Sequence, residues 1–446
     1  MNNLKSSINC TIENAINLNK TLSKQKILNL NLSLIDNFNK TLPSNITGLN
    51  SGKLMFSLFP FLLKKEDKKY IEEVCLLMHG VVEKIIDIFL HKNEHVFNFY
   101  KEYDFLIPFI YKQNNYYQTI VRYDFMINDD GILFYEFNGC LPGGMFIYDR
   151  LNKEILKHIS IILNRKIATT FNLNTLTSSV FRLLKSNPLR IVLLYDNYNF
   201  DCEFKIIQEE LESKGVNVEF SHIKNIKIEN EIILINGKKI FLAYNNFFLT
   251  DFQDNFDKNK WINILKSEPY KKLIKATKNG KLNLINNIAQ MTIVEDKSIF
   301  ALLNHPKILQ YFDSQEIKFL SKYVPYTTMD FKLKQKDIMK VIENKDNYII
   351  KKHYSQLGTG VYQGQDYSES QWINILDKNH NKAILQQKID SFKYPFFDPR
   401  HSIGYRYTKT NLSMSMYIVN GQCSGLIAHL KPHGSQGLLQ PVFEVM

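Results

Sequence analysis

The stretch VRYDFMINDDGILFYEFNG, residues Val121–Gly139, alternates apolar and polar side chains on either side of a turn-forming centre. This pattern predicts a β-hairpin. A loop at Asp129–Gly131 would combine a type I turn with a left-handed residue, and glycine suits that last position. The loop then fixes how the two strands pair, beginning with Asn128 opposite Ile132.

Counting along both strands from this loop predicts two further opposed pairs, Asp124 with Glu136 and Arg122 with Asn138. Successive side chains of a strand point to opposite faces, so the register also predicts what each face carries. The predicted apolar face, which must be core, carries Tyr123, Phe125, Ile127, Leu133, Tyr135 and Phe137. The predicted polar face carries Arg122, Asp124, Glu136 and Asn138, with Met126 and Phe134 toward the turn.

Two opposed carboxylates, Asp124 and Glu136, are destabilising unless a positive charge compensates them. Arg122 is one candidate for that charge. Mg²⁺ is the other, because it prefers oxygen ligands and Asn138 would add a carbonyl oxygen. An ordinary hairpin with a solvated polar face is the alternative. The following NGCLPGG favours a site, since Gly143–Gly144 places loose backbone beside it.

Composition limits the classes of protein that this chain can represent. It has 446 residues, of which 44% are hydrophobic, and a net charge of +12. Such a length suits two to four domains of roughly 100–200 residues, and the apolar content excludes a wholly disordered chain. The charge suggests an anionic partner: a nucleotide, an acidic substrate, an acidic carrier protein or a nucleic acid. Nucleic acid is weakly indicated, because the basic residues form no block and no known motif.

Targeting signals and cysteine usage predict a cytoplasmic protein that does not enter a membrane. No uninterrupted apolar run approaches the ~18 residues of a membrane span, and the N-terminal stretch lacks the apolar segment of a secretory signal. The five cysteines are scattered and show no CxxC spacing. Free thiols in a reducing compartment are therefore expected, and a zinc site is not.

Apolar periodicity predicts an α/β (α+β) protein in four blocks. These are a mainly helical region at 1–110, the hairpin block at 111–187, a Rossmann-like unit at 188–290 and a last mixed block at 291–446. In the third block LRIVLLYD and VNVEF predict buried strands around one helix, and Asn236-Gly237 predicts a second hairpin. No GxGxxG follows its first strand, so we do not expect a dinucleotide site there.

The last block contains a lysine and glycine pattern that suits phosphate binding. In NYIIKKHYSQLGTGVYQGQ, Lys351 or Lys352 ends an apolar strand, and a loop with Gly358 and Gly360 follows. An ammonium group and backbone amides together can hold phosphates, although a β-turn with two glycines is a common structural alternative. Three further residues, Lys297 before a helical run and Gln386 and Gln387 in a predicted strand, are compatible with either a site or a solvated surface.

Together these residues resemble the ATP-grasp superfamily of carboxylate–amine ligases. Members of that superfamily carry a lysine before a helix, a second lysine ahead of a glycine loop, a strand with glutamine, and a "D…ExN" magnesium set. The counterparts here are Lys297, Lys351, Gln386-Gln387, and Asp124 with Glu136 and Asn138. In this chain the hairpin precedes the lysines, an order similar to that of circularly permuted members such as the synthetase domain of glutathionylspermidine synthase.

The resemblance implies a role for each of these residues and for the blocks that hold them. The hairpin block would be part of the ATP-grasp core and hold Mg²⁺, 188–290 would be the pre-ATP-grasp unit, and 291–446 would form the ATP-binding lobes. Lys297 and Lys351 would hold phosphates, the Gly358–Gly360 loop would close over them, and backbone near Gln386 and Gln387 would bind adenine. Arg122 would steady the transferred phosphoryl group or the substrate carboxylate.

One position departs from the family pattern. Relatives carry an arginine near the C-terminus that is thought to face the acyl phosphate, and at that offset from Gly425 this chain has His429. Either His429 substitutes for the arginine, or Arg400 or Arg406 reaches in, or activity is reduced. The resemblance implies an ATP- and Mg²⁺-dependent ligase acting on small-molecule or peptide carboxylates and amines. A phosphotransferase and a non-catalytic binding protein on a degenerate fold are the alternatives.

Overall fold

A computed structural model gives the architecture of this chain. It describes residues 7, 11, 33–40, 42, 56–57, 60–110, 112, 116–129, 131–139, 143–184, 190–195, 202–229, 232–246, 262–263, 266–285, 290–331, 336–354, 360–380, 382–398, 406–431 and 438–446. Within these ranges no helix is both long enough and apolar enough to cross a membrane.

Helices are distributed along the described residues, and the longest of those given, with 26 residues, covers Lys65–Leu90. They are α1 (Lys65–Leu90), α2 (Glu94–Phe99), α3 (Met145–Leu163), α4 (Asn174–Leu184), α5 (Cys202–Glu212), α6 (Glu268–Lys278), α7 (Ile299–Leu302), α8 (Pro306–Leu309), α9 (Ser314–Tyr323), α10 (Lys336–Glu343) and α11 (Glu369–Asn379). A 3₁₀-helix covers Lys101–Phe109, and shorter ones cover Ile223–Asn225, Lys345–Asn347 and Gly364–Asp366. A π-helix covers Gln290–Val294.

The strands are short except for two long ones near the C-terminus. They are β1 (Phe61–Leu63), β2 (Ile120–Asn128), β3 (Gly131–Asn138), β4 (Ile167–Thr169), β5 (Arg190–Tyr195), β6 (Asn217–His222), β7 (Lys227–Glu229), β8 (Ile232–Ile235), β9 (Lys238–Lys239), β10 (Leu242–Asn246), β11 (Asn283–Ile285), β12 (Thr327–Thr328), β13 (Tyr348–Lys352), β14 (Val361–Gln363), β15 (Ala383–Gln387), β16 (Lys393–Asp398), β17 (Arg406–Val419), β18 (Gln422–Lys431), β19 (Leu438–Gln440) and β20 (Val442–Val445).

The central antiparallel sheet contains the predicted hairpin and joins it to the C-terminal strands. Its order is β19-β18-β17-β2-β3. Strand β16 lies on the same edge of β17 as β2, where β16 pairs with residues 406–411 and β2 with residues 413–419. One face packs with α1 in a core that includes Tyr123, Phe125 and Phe137. The opposite face packs with α3 in a second core that includes Tyr417 and Ile427. The sheet is thus covered on both sides, and its polar residues lie between packed layers.

The predicted hairpin register is confirmed at its base and wrong near the turn. Asp124 pairs with Glu136 and Arg122 with Asn138, as expected. Asn128, however, pairs with Gly131 instead of Ile132, because the connection is one residue shorter than predicted. Gly131 has the expected positive φ, 127°, but it opens β3, and its amide donates to Asn128 Oδ1 at 3.0 Å.

A β-bulge reconciles the short turn with the correct pairs at the base. The register shifts after Asp124, since Phe125 pairs with Phe134 and leaves Tyr135 as the extra residue. Phe134 therefore replaces Leu133 on the core face, contrary to the prediction, and Leu133 is only half-buried. Tyr135 is buried too, but outside that core cluster, and its hydroxyl lies 2.5 Å from Ser413 Oγ.

The third block forms a parallel sheet with the order β11-β10-β5-β6. β5 and β6 match the two predicted strands, and α5 lies between them in the chain. The turn predicted at Asn236-Gly237 is confirmed, with φ of 52° and 73° at these residues and β8 paired to β9. The second strand of this hairpin, β9, is shorter than predicted, because the chain that follows it forms β10 of the parallel sheet.

Three further sheets complete the fold, of which the antiparallel β7-β8-β9 contains the Asn236-Gly237 turn. The mixed order β1-β20-β4 joins a strand near residue 60 to the last strand, with Phe61 opposite Val442. The order β12-β15-β13-β14 is antiparallel and packs its own core around Trp372 and Ile350. This last sheet carries Lys351 and Gln386, and it brings both toward the hairpin.

Candidate functional site

Arg122 and Asp124 form a closed ion pair on the polar face of the hairpin. Arg122 Nε donates to Asp124 Oδ1 at 2.7 Å, and a terminal nitrogen donates to Oδ2 at 2.9 Å. A forked contact of this kind is among the strongest that a carboxylate makes. Burial is the largest single influence on the pKa of Arg122 and lowers it, but the interactions with Asp124 and Tyr417 together leave the pKa of the guanidinium raised. The predicted compensation of the carboxylates by Arg122 is therefore present at Asp124.

Glu136 has a different cation. Lys297 Nζ lies 3.1 Å from Glu136 Oε1, and the Lys297 side chain is only 5% exposed. Lys297 comes just before α7, as the sequence predicted, but it is not the solvated lysine that its local sequence alone would suggest. A buried ammonium requires a partner of opposite charge, and the hairpin supplies one.

Lys351 reaches the same end of the hairpin from β13. Its Nζ donates to the Tyr135 carbonyl at 2.9 Å and to Gln386 Oε1 at 2.7 Å. Gln386 is fixed in turn, because its Nε2 donates to Thr327 Oγ1 at 3.1 Å. The choice between Lys351 and Lys352 is thus resolved in position: only Lys351 contacts the hairpin among the contacts described, while the stem of Lys352 lies beside Gly360.

The two lysines converge on consecutive residues of one strand. Lys351 binds the Tyr135 carbonyl, and Lys297 binds the Glu136 carboxylate. Sequence separates these lysines from the hairpin by more than 150 residues. Two buried ammonium groups therefore meet neighbouring residues of β3, one at a carbonyl and one at a carboxylate, an arrangement that suits a ligand with several charged oxygens.

The glycine loop and the second glutamine are less closely tied to this cluster. Gly358 lies outside the described residues; Gly360 has a φ of 69°, where glycine is favoured. Gln387 is exposed, so its side chain does not share the position of Gln386. Its backbone amide donates to the Tyr326 carbonyl at 2.8 Å, which leaves that donor engaged within the protein.

His429 lies on the site face of the central sheet, two strands from the hairpin. It pairs with Ser413 of β17, which in turn pairs with Met126 of β2. Its ring packs edge-on against Tyr148 of α3, with centroids 5.4 Å apart. Arg406 begins β17, but its side chain is not described, and Arg400 lies outside the described residues. The residue that replaces the family arginine stays a prediction.

Three residues that the sequence did not single out complete the site. The Tyr417 hydroxyl donates to the Gly143 carbonyl at 2.5 Å, and the same carbonyl accepts from Arg122 at 2.9 Å. Glu203 accepts from the amides of Gly144 and Phe146. Glu295 accepts from the amide of Gly139 at 2.9 Å. Only Glu295 had a local signal, since it stands two residues before Lys297.

The donor set allows a test of whether Mg²⁺ fits. Among the residues that the structure covers, no group of three or more acidic, histidine or cysteine side chains could hold a metal ion alone. The hairpin offers two opposed carboxylates and the carbonyl oxygen of the Asn138 amide. Mg²⁺ is often bound by one or two carboxylates together with substrate phosphates. Arg122 already engages both oxygens of Asp124, and Lys297 contacts Oε1 of Glu136. The set therefore fits a Mg²⁺ ion only if these contacts open when the ion arrives with a nucleotide.

Comparison with known proteins places this α/β architecture among glutathione synthetase-like folds. The chain matches no protein-family model and no curated protein by sequence. A solved glutathione synthetase-like effector from Globodera pallida, in its apo form, aligns over 95% of this chain and 98% of its own, with a TM-score of 0.64 and 12% identity. That level of identity shows the fold alone. A D-cycloserine synthetase structure aligns over 57% of this chain and 91% of its own, at a TM-score of 0.31 and 10% identity, too loosely to bear on the fold.

Proposed function

We propose that this protein is an ATP- and Mg²⁺-dependent ligase that joins a carboxylate to an amine. The observation that carries the proposal is the meeting of Lys297 and Lys351 at Glu136 and Tyr135. Buried cations beside carboxylates are the arrangement expected where triphosphate charge is neutralised. The fold shared with the glutathione synthetase-like effector supports the same class. We also propose the circularly permuted ATP-grasp order, with 188–290 as the pre-ATP-grasp unit, because the hairpin precedes both lysines.

The proposed reaction has two steps. An oxygen of the substrate carboxylate attacks the γ-phosphorus of ATP, and the bond to the β-phosphate oxygen breaks to give an acyl phosphate and ADP. The nitrogen of the amine then attacks the acyl carbon, loses a proton, and displaces phosphate to leave the amide. Bound Mg²⁺ would neutralise phosphate charge, with Asp124, Glu136 and Asn138 as its protein ligands.

The protein's own residues position these groups. Lys351, aimed by Gln386, and Lys297 would move from their present partners to the α- and β-phosphates as the nucleotide enters. Arg122 would hold the transferred phosphoryl group or the substrate carboxylate in line. The acid could be a small molecule, a peptide or an acyl group on an acidic carrier protein.

Mg·ATP binding tests the proposal directly. We expect Mg·ATP to raise the melting temperature of the unmutated protein, and Glu136→Gln to abolish most of that rise. Asp129→Asn is the matched control, because Asp129 is an exposed acid in the turn of the same hairpin. No shift with Mg·ATP in the unmutated protein would contradict the proposal.

Product analysis separates ligation from simple phosphotransfer. Pools of carboxylates and amines are incubated with Mg·ATP, ADP release is measured, and mass spectrometry identifies new masses. Release that needs both an acid and an amine, with a condensed product, supports the ligase. A phosphorylated product formed without an amine would instead identify a phosphotransferase.

A further inference from the structure

Helix α3 begins without a side-chain cap of its own. Its N-cap residue is Gly144, which has a φ of 103° and provides no side-chain acceptor for the first amides of the helix. Glu203 of α5 supplies the acceptors from another part of the chain. Its Oε2 accepts from Gly144 N at 2.6 Å, and its Oε1 accepts from Phe146 N at 2.9 Å. The carboxylate also lies where the helix dipole favours negative charge.

The segment held by Glu203 also holds Arg122. The carbonyl of Gly143, next to the clamped Gly144 amide, accepts from Arg122 at 2.9 Å. The guanidinium also makes two hydrogen bonds to Asp124 and interacts with the Tyr417 hydroxyl. A continuous series of hydrogen bonds therefore runs from Glu203 through the Gly143–Gly144 peptide to Arg122.

We propose that Glu203 is a positioning residue for Arg122, an inference that rests on the proposed function. By holding two amides of the turn, Glu203 fixes the direction of the Gly143 carbonyl and with it the angle of the guanidinium. Arg122 faces the γ-phosphate or acyl phosphate in the proposed reaction, whereas the lysines face the other phosphates. Loss of Glu203 should therefore weaken recognition of the γ-phosphate and leave recognition of the rest of the nucleotide intact.

The preference for Mg·ATP over Mg·ADP, measured by calorimetry, is the readout that isolates this effect. We expect Glu203→Gln to lower the ratio of Kd(ADP) to Kd(ATP) by about tenfold, the scale of one charge-assisted hydrogen bond. Glu209→Gln is the control, since Glu209 is an exposed acid of the same helix and pairs with Arg150. In an Arg122→Ala background, Glu203→Gln should cause no further drop.

Each other result counts against one of the two proposals. Equal weakening of ATP and ADP, or the same drop in the Arg122→Ala background, would show that Glu203 only supports the fold and would overturn its positioning role. If the unmutated protein binds no Mg·ATP, the proposed function fails, and amide hydrogen exchange decides the positioning role. Faster exchange at Gly144 and Phe146 in Glu203→Gln, but not in Glu209→Gln, supports it; unchanged exchange overturns it.

Discussion

Lys351 and Lys352 are neighbours in one strand, yet only the first points at the candidate site. Alternation along β13 buries Lys351 to 7% exposure and leaves Lys352 half-buried beside Gly360. Lys351→Met keeps the length of the side chain and removes the charge. We expect this variant to weaken Mg·ATP binding by at least tenfold in calorimetry, since a buried ammonium is lost from the proposed phosphate site.

The same pair provides the control. Lys352→Met should leave the affinity for Mg·ATP within about twofold of the unmutated value, as expected for a partly exposed charge. Lys351→Met also leaves the Tyr135 carbonyl and Gln386 Oε1 without their donor, which costs roughly 1–3 kcal/mol of stability. Binding is therefore compared at a temperature where both variants are folded. Equal affinities in the two variants would contradict the placement of Lys351 at the phosphates.

His79 gives the chain a pH dependence of stability. Burial lowers the pKa of this residue from 6.5 to about 4, and its Nδ1 lies 3.0 Å from the Tyr123 hydroxyl. In the unfolded chain His79 binds a proton near pH 6.5, whereas in the folded chain His79 stays neutral until about pH 4. The contribution of neutral His79 to the free energy of unfolding is fully present above pH 6.5. It falls by about 3 kcal/mol in all as the pH drops toward 4.

His79→Gln isolates that contribution. Glutamine retains an acceptor and a donor near Tyr123 but does not titrate. We expect urea denaturation midpoints of the unmutated protein to fall more steeply between pH 6.5 and 4 than those of His79→Gln. Parallel pH profiles for the two proteins would show that His79 is not the group responsible.

At the scale of the element, α3 depends on a glycine as its N-cap, the residue just before Met145. The φ of 103° at Gly144 lies in the region that only glycine adopts readily, and a Cβ there would stand 3.0 Å from the Tyr417 hydroxyl. We expect Gly144→Ala to lower stability by about 1–3 kcal/mol in denaturant unfolding. Gly80→Ala is the matched control, because Gly80 lies within α1 with nothing near its would-be Cβ. That change should stabilise by about 0.5–1 kcal/mol.

The hairpin shows how far sequence alone predicts an element. Alternation and turn residues were sufficient to predict both strands. The opposed pair Asp124–Glu136 was counted from a loop one residue too long, and it is correct because the bulge offsets that error. They were insufficient for the loop length, because Gly131 suits either side of the turn. The bulge at Tyr135 depends on partners from distant strands: Ser413 holds its hydroxyl and Lys351 its carbonyl. Alternation within one segment contains no information about such contacts.

The candidate site shows the same division. Asp124, Glu136 and Lys351 could be singled out from local patterns typical of phosphate or metal chemistry. Lys297 could be singled out only through the family resemblance, because its local sequence favours a solvated lysine. Glu203 could not, because its function as an acceptor follows from where α5 packs against the start of α3. In the sequence it is one acid among several in an amphipathic helix. Residues that act by holding backbone have no motif of their own.

At the scale of the whole molecule, the two large cores each draw on distant parts of the chain. The second core contains Leu62, Met145, Ile191 and Phe443, one residue from each of the four predicted blocks. Strand β20 also lies between β1 and β4 in one sheet. Whether the blocks are separate folding units stays a prediction, but a shared core favours unfolding of these parts together.

Phe443→Ala tests that cooperativity. Phe443 is fully buried in β20, and truncating a buried phenylalanine costs about 3–5 kcal/mol. If the blocks share their core, the variant should unfold in urea at a lower midpoint, with far-ultraviolet circular dichroism and tyrosine fluorescence changing together. Val445→Ala, in the same strand but half-buried, should shift the midpoint less. Two separated transitions in Phe443→Ala would instead show that the strand stabilises one part of the molecule, while the hairpin and its lysines remain folded without it.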